Sequence, residues 1–153
     1  MKLAAVLLLL PLAVFANITG KVIGVADGDT LTVLDGNKGL TKIRLNQIDA
    51  PEKKQDFGQR SKQSLSELVY GKQARVEVFD TYKYGRKVGK VWVNCQDANL
   101  EQVRRGMASV YTNYANDPEY FAAEQTANLP ARCHTSESPT THIGAHSYAR
   151  PVH

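Results

Sequence analysis

Two short turns within residues 18–46 constrain this chain most. Ile18 to Ala26 and Thr30 to Leu34 carry Val, Ile and Thr, and only Asp27-Gly28-Asp29 separates them. Asp35-Gly36-Asn37-Lys38-Gly39 follows, a string whose Gly and Asn suit a hairpin reversal. Thr41 to Asn46 then alternates, with Ile43 and Leu45 on one face and Lys42 and Arg44 on the other. Three adjacent short strands joined this tightly predict a meander. Asp49-Ala50-Pro51-Glu52 ends the unit, because proline leaves a strand ladder.

The rest of the pattern mixes strands and helices. Lys53 to Arg60 is charged and reads as loop. Ser61 to Tyr70 reads as a helix, with Leu65, Leu68 and Val69 on one side and Gly71 as its stop. Gln73 to Phe79 alternates again, and Val88 to Asn94 makes a fifth strand beyond the Lys83-Tyr84-Gly85-Arg86 turn. Asp97 suits the cap of a short helix over 98–105, and Asp117-Pro118-Glu119 opens a last helix through Ala127. Five strands and about three helices predict an α+β domain built on a five-stranded Greek-key β-barrel of the OB type.

The ends differ from this body. Lys2, the apolar run Leu3–Phe15 and the small residue Ala16 form a signal-peptide pattern, so residues 1–16 are expected to be removed near Ala16 on export, to periplasm or medium. The run is shorter than the ~20 apolar residues that span a bilayer, so no membrane anchor is expected in the mature chain. Residues 17–127 then form the domain, and 128–153 are expected to be an irregular, flexible tail that holds all four histidines. Cys95 and Cys133 allow one disulfide or two free thiols, and the sequence leaves that open. With 153 residues there is chain for one core, and a net charge of +4 permits a polyanionic partner without demanding one.

The body contains no histidine, which excludes a His-based triad or His metal site from it. Carboxylates and arginines remain. Asp27, Asp29, Asp49 and Glu52 stand at strand ends, where carboxylate oxygens suit hard cations such as Ca²⁺ or Mg²⁺. Arg44 and Arg86 carry the planar fork that grips phosphate oxygens. Each string alone has a plainer reading: a turn, a strand stop, a solvated charge.

Taken together and in order, ADGDTLTV, KIRLNQIDAPE, KYGR and ANLEQVRRGMA resemble the staphylococcal (micrococcal) nuclease family, the thermonucleases, over roughly residues 20–127. The resemblance implies an OB barrel with flanking helices. It implies a catalytic Ca²⁺ held by Asp29, Asp49 and the backbone carbonyl of Ala50, with Asp27 behind them. Glu52 matches the glutamate that handles the attacking water, and Arg44 and Arg86 match the two arginines on the scissile phosphate. Lys83, Tyr84 and Tyr114 match positions around the nucleotide. Ala50 stands where relatives often carry Thr, Thr112 falls where a tyrosine can sit, and Asn128-Leu129-Pro130 interrupts a last helix that relatives usually continue. The expectation is an exported, monomeric, Ca²⁺-dependent phosphodiesterase that cuts DNA and RNA with little sequence preference, leaving 3′-phosphates. The competing expectation is an OB-type module that binds nucleic acid or protein without cutting.

Overall fold

A computed structural model of the chain describes residues 17–128. The expected leader, the tail from residue 129 and Cys133 lie outside those residues. The chain runs β1 (Asn17–Asp27), β2 (Thr30–Asp35), β3 (Leu40–Leu45), β4 (Ile48–Asp49), α1 (Gly58–Val69), β5 (Gln73–Thr81), a single 3₁₀ turn at Lys83–Gly85, and β6 (Lys87–Val93). It continues through β7 (Gln96–Asp97), α2 (Ala98–Arg104), β8 (Ser109–Val110) and α3 (Pro118–Asn128).

The meander forms as expected: β1 pairs antiparallel with β2, and β2 with β3. β1 also pairs with β5 and β5 with β6, while β3 meets β6 in parallel. That last pairing closes β1, β2, β3, β6 and β5 into the barrel, with no open edge among the five. Inside it lie Val22, Leu31, Val33, Ile43, Leu45, Val76 and Val91, which strand alternation turns inward. The same alternation turns Arg44 outward between Ile43 and Leu45.

Two differences from the sequence reading have physical causes. β4, β7 and β8 are two-residue strands, too short to show any period; β4 pairs with β8, and β7 extends β6. α1 begins at Gly58, inside the stretch read as loop. Its cap, Phe57, has φ 63° and makes no side-chain capping bond, so the usual start signal is missing. Gly58 is required there, because a Cβ would collide with the Glu52 carbonyl oxygen. The helix and the loop carrying Glu52 are thereby packed together.

The helices seal one side of the barrel. Asp97 caps α2, accepting from the backbone N–H of Asn99 (3.0 Å) and Leu100 (3.1 Å). The buried Tyr120 of α3 donates its hydroxyl to Asp97 at 2.9 Å, and burial, reinforced by Asp97, holds that hydroxyl protonated well above its usual range. No helix among the described residues is long and apolar enough to cross a membrane.

A buried amide ties the helices to the barrel rim. Gln102 donates to the carbonyls of Gly28 (2.8 Å) and Ser61 (3.1 Å), and accepts from the Ser64 hydroxyl (2.6 Å). Gln102→Ala leaves those groups buried and unpartnered, with an expected cost of about 2–4 kcal/mol in urea unfolding. A loss under about 0.5 kcal/mol, the usual range for surface substitutions, would contradict this role.

Candidate active site

The turn between β1 and β2 and the run from β3 into β4 meet at one rim of the barrel. Strand register sets Arg44 opposite Thr30, and Leu45 donates its N–H to the Asp29 carbonyl at 2.8 Å. Gly28 is glycine for a steric reason: a Cβ would collide with the Ser61 hydroxyl of α1. The turn therefore lies flat against the helix and delivers Asp29 into the rim. Asp49 is fixed by β4, through its pairing with Ser109 of β8.

Asp29 is the buried centre, 2% exposed. One carboxylate oxygen accepts from the Thr30 hydroxyl (2.9 Å). The other accepts from the Ala50 N–H (3.1 Å) and pairs with one Arg44 nitrogen (2.8 Å). The second terminal nitrogen of Arg44 binds Asp49 at 2.8 Å. One guanidinium thus clamps two carboxylates. Burial alone lowers the Arg44 pKa, but Asp29 and Asp49 overcome that and leave it raised. Asp27 accepts from the Asp29 N–H at 3.3 Å and sits behind the pair.

Asp27, Asp29, Arg44, Asp49, Ala50, Glu52 and Arg86 all border one hollow of about 270 Å³, together with Thr30 and Gln55. Sequence reasoning did not single out the last two. Thr30 belongs to the same DGDT string, and Gln55 lies three residues after Glu52, where its side chain accepts the Glu52 N–H at 2.7 Å. Lys83 and Tyr84 do not border this hollow. They line a larger one of about 770 Å³, with Leu40, Lys42 and Tyr82, that shares Arg86 with it. Tyr114 lines a third hollow of about 190 Å³ that also touches Arg44 and Tyr82. Its ring is 5.1 Å from that of Tyr111, and Gln47 anchors their loop by accepting the N–H groups of Asn116 and Asp117.

The donors that could hold a cation are all oxygen. Among the described residues no three His, Cys, Asp or Glu side chains cluster as a ready-made cage. Ca²⁺ does not require one: carboxylates, backbone carbonyls and water share its six to eight positions in about equal standing. Charge favours a divalent ion, since four carboxylates face two arginines in the hollow, a surplus of two negative charges. Asp29 and Asp49 with the Ala50 carbonyl therefore offer oxygen donors that suit a hard cation.

The pKa of Asp29 records the strain of this arrangement. Burial pushes it up to about 6, against the lowering effects of Arg44, the Ala50 N–H and the Thr30 hydroxyl. The folded value lies above the unfolded 3.8, so the ionised carboxylate costs stability. That cost is absent below the unfolded value and complete above the folded one. Asp29→Asn is therefore expected to stabilise the cation-free protein at pH 7.5 by about 1–2 kcal/mol, less than the full shift because the amide serves fewer of the donors. The gain should vanish as urea unfolding is repeated toward pH 4. A variant less stable than the parent at pH 7.5 would mean that the Asp29–Arg44 pair repays its burial.

The closed barrel with its three helices has the OB-type fold of the thermonuclease class. Residues 42–131 match the family described as staphylococcal nuclease homologue. A Haemophilus influenzae protein described as an uncharacterized endonuclease is 47% identical over 110 residues, 71% of this chain and 61% of that protein. The Escherichia coli protein ParB is 39% identical over 140 residues, 83% of this chain and 78% of that one. A Shigella flexneri micrococcal nuclease is 33% identical over 135 residues, 81% and 77% of the two chains. The chain belongs to the staphylococcal nuclease family.

Proposed function

We propose that this chain is an exported nuclease that hydrolyses phosphodiester bonds of DNA and RNA, using Ca²⁺ and leaving 3′-phosphate ends. The observation that carries the reading is the convergence of Glu52, Arg44 and Arg86 with the Asp29–Asp49 pair on one hollow. Water attacks phosphorus in line with the departing 5′-oxygen. Glu52 orients that water and accepts its proton. Arg86, and Arg44 through the three N–H groups that its ion pairs to Asp29 and Asp49 leave open, donate to the phosphate oxygens as their charge grows. Asp29, Asp49 and the Ala50 carbonyl would hold the Ca²⁺, which would supply charge to neutralise the phosphate.

The flanks support a polynucleotide substrate. Lys83, Tyr84 and Tyr114, in the hollows that adjoin the site, are exposed and offer charge and ring faces to neighbouring nucleotides. Such contacts read phosphate and stacking more than base identity, hence little sequence preference. Export rests on the leader pattern in residues 1–16.

The test uses end-labelled DNA and RNA oligonucleotides of mixed sequence. The expected products are shorter strands that a phosphatase acting on 3′-phosphates converts to 3′-hydroxyl ends. Strands that shift in a gel but stay whole would favour a binding module instead. Products ending in 3′-hydroxyl would reverse the assigned leaving group.

A further inference from the structure

The two arginines of the site are held in different ways. Arg44 is fixed by two carboxylates. Arg86 forms no ion pair and no side-chain hydrogen bond among the described residues; what it has is a ring, with its guanidinium carbon 5.2 Å from the centre of Tyr82. We propose that Tyr82 is a positioning residue for Arg86, a ring platform that aims the guanidinium into the hollow while leaving its N–H donors for phosphate. The proposal rests on the functional reading above.

The backbone makes the two residues one unit. Tyr82 donates its N–H to the Arg86 carbonyl at 2.8 Å, and its own carbonyl accepts the Gly85 N–H at 3.2 Å. Between them Tyr84 (φ 67°) and Gly85 (φ 78°) take left-handed backbone, which tightens the turn and brings residue 86 back toward residue 82. Tyr82 borders both neighbouring hollows, the one lined by Lys83 and Tyr84 and the one lined by Tyr114. A carboxylate partner would compete with phosphate for the donors of Arg86. An aromatic face attracts the cation without occupying any N–H. The hydroxyl has no part in this, so phenylalanine should serve as well.

The experiment has two arms on the full-length protein. In the first, the Arg86 Nε–Hε signal is assigned in ¹⁵N NMR spectra by its loss in Arg86→Lys. It is expected to lie upfield in the parent and in Tyr82→Phe, and to move to the position of an exposed arginine in Tyr82→Leu. In the second, Tyr82→Leu is expected to lower kcat by about 3–30-fold, the range of a single cation–ring contact, with a smaller change in KM. Tyr82→Phe should restore kcat. In an Arg86→Ala background Tyr82→Leu should cost less than about twofold, because nothing remains to position.

An Arg86 signal without the upfield shift, or one unmoved in Tyr82→Leu, overturns the proposal whether or not the protein cuts nucleic acid. An equal kcat loss with and without Arg86 also overturns it, since the ring would then act on substrate directly. The expected upfield signal, moved in Tyr82→Leu, in a parent that cuts nothing would sink the nuclease reading and leave the positioning of Arg86 standing.

Discussion

Glu52→Gln is expected to fold like the parent and to cut nucleic acid about 10²–10⁴-fold more slowly, the range for losing a positioned general base. The fold should not notice the change. The Glu52 side chain is exposed and makes no hydrogen bond or ion pair among the described residues. Its backbone is held instead, by the Gln55 side chain at 2.7 Å, by the Gln55 N–H at 2.8 Å on its carbonyl, and by the close approach of Gly58. The loop is thus rigid and the carboxylate is free to act. The amide keeps size and shape but cannot accept a proton from water. Single-turnover rates with matched urea unfolding curves check both halves. Full activity in Glu52→Gln would remove this residue from the mechanism.

Arg44→Lys and Arg86→Lys are each expected to lower kcat by about 10²–10³-fold, comparable to removing one oxyanion donor. Lysine keeps the charge and loses the planar fork. The two variants should part company in stability. Arg44 spans Asp29 and Asp49 with two separate nitrogens, each at 2.8 Å, and a single ammonium cannot reproduce that clamp. Arg44→Lys should therefore unfold at lower urea than the parent. Arg86→Lys should not, because Arg86 joins no ion pair among the described residues. If both kept near-parental rates, these arginines would be ordinary surface charges.

What could be read from the sequence, and what could not, follows from how far each feature reaches along the chain. The barrel strands announce themselves because alternation and turn residues are local. Ile43 and Leu45 are buried and Arg44 faces the rim, as period two requires. β4 and β8 are joined across sixty residues by two pairs, Ile48 with Val110 and Asp49 with Ser109, and no local pattern encodes that. α1 starts at Gly58 because the backbone of Glu52 leaves no room for a side chain there, a contact invisible in composition. In the site, the acidic and arginine positions were legible as a set through family resemblance, and geometry adds how they are held. Gln102 supports Gly28 from 74 residues away, and a buried glutamine on a helix carries no sequence signal of that duty. Tyr82 acts through a turn whose closure depends on left-handed Tyr84 and Gly85, so only the folded turn reveals it.

The most direct test of the account is cleavage of single-stranded DNA by the protein with Ca²⁺ or with a chelator. Asp29 and Asp49 are the only proposed side-chain ligands, and the body has no histidine to replace them. The account predicts degradation with Ca²⁺ and none with chelator. Mg²⁺ should support less turnover, because it demands a tighter octahedral shell than this open rim provides. Asp29→Asn should need more Ca²⁺ than the parent to reach half-maximal rate. Intact DNA in Ca²⁺, from protein shown to be folded, would contradict the nuclease assignment, and cleavage that persists in chelator would contradict the role given to Asp29 and Asp49.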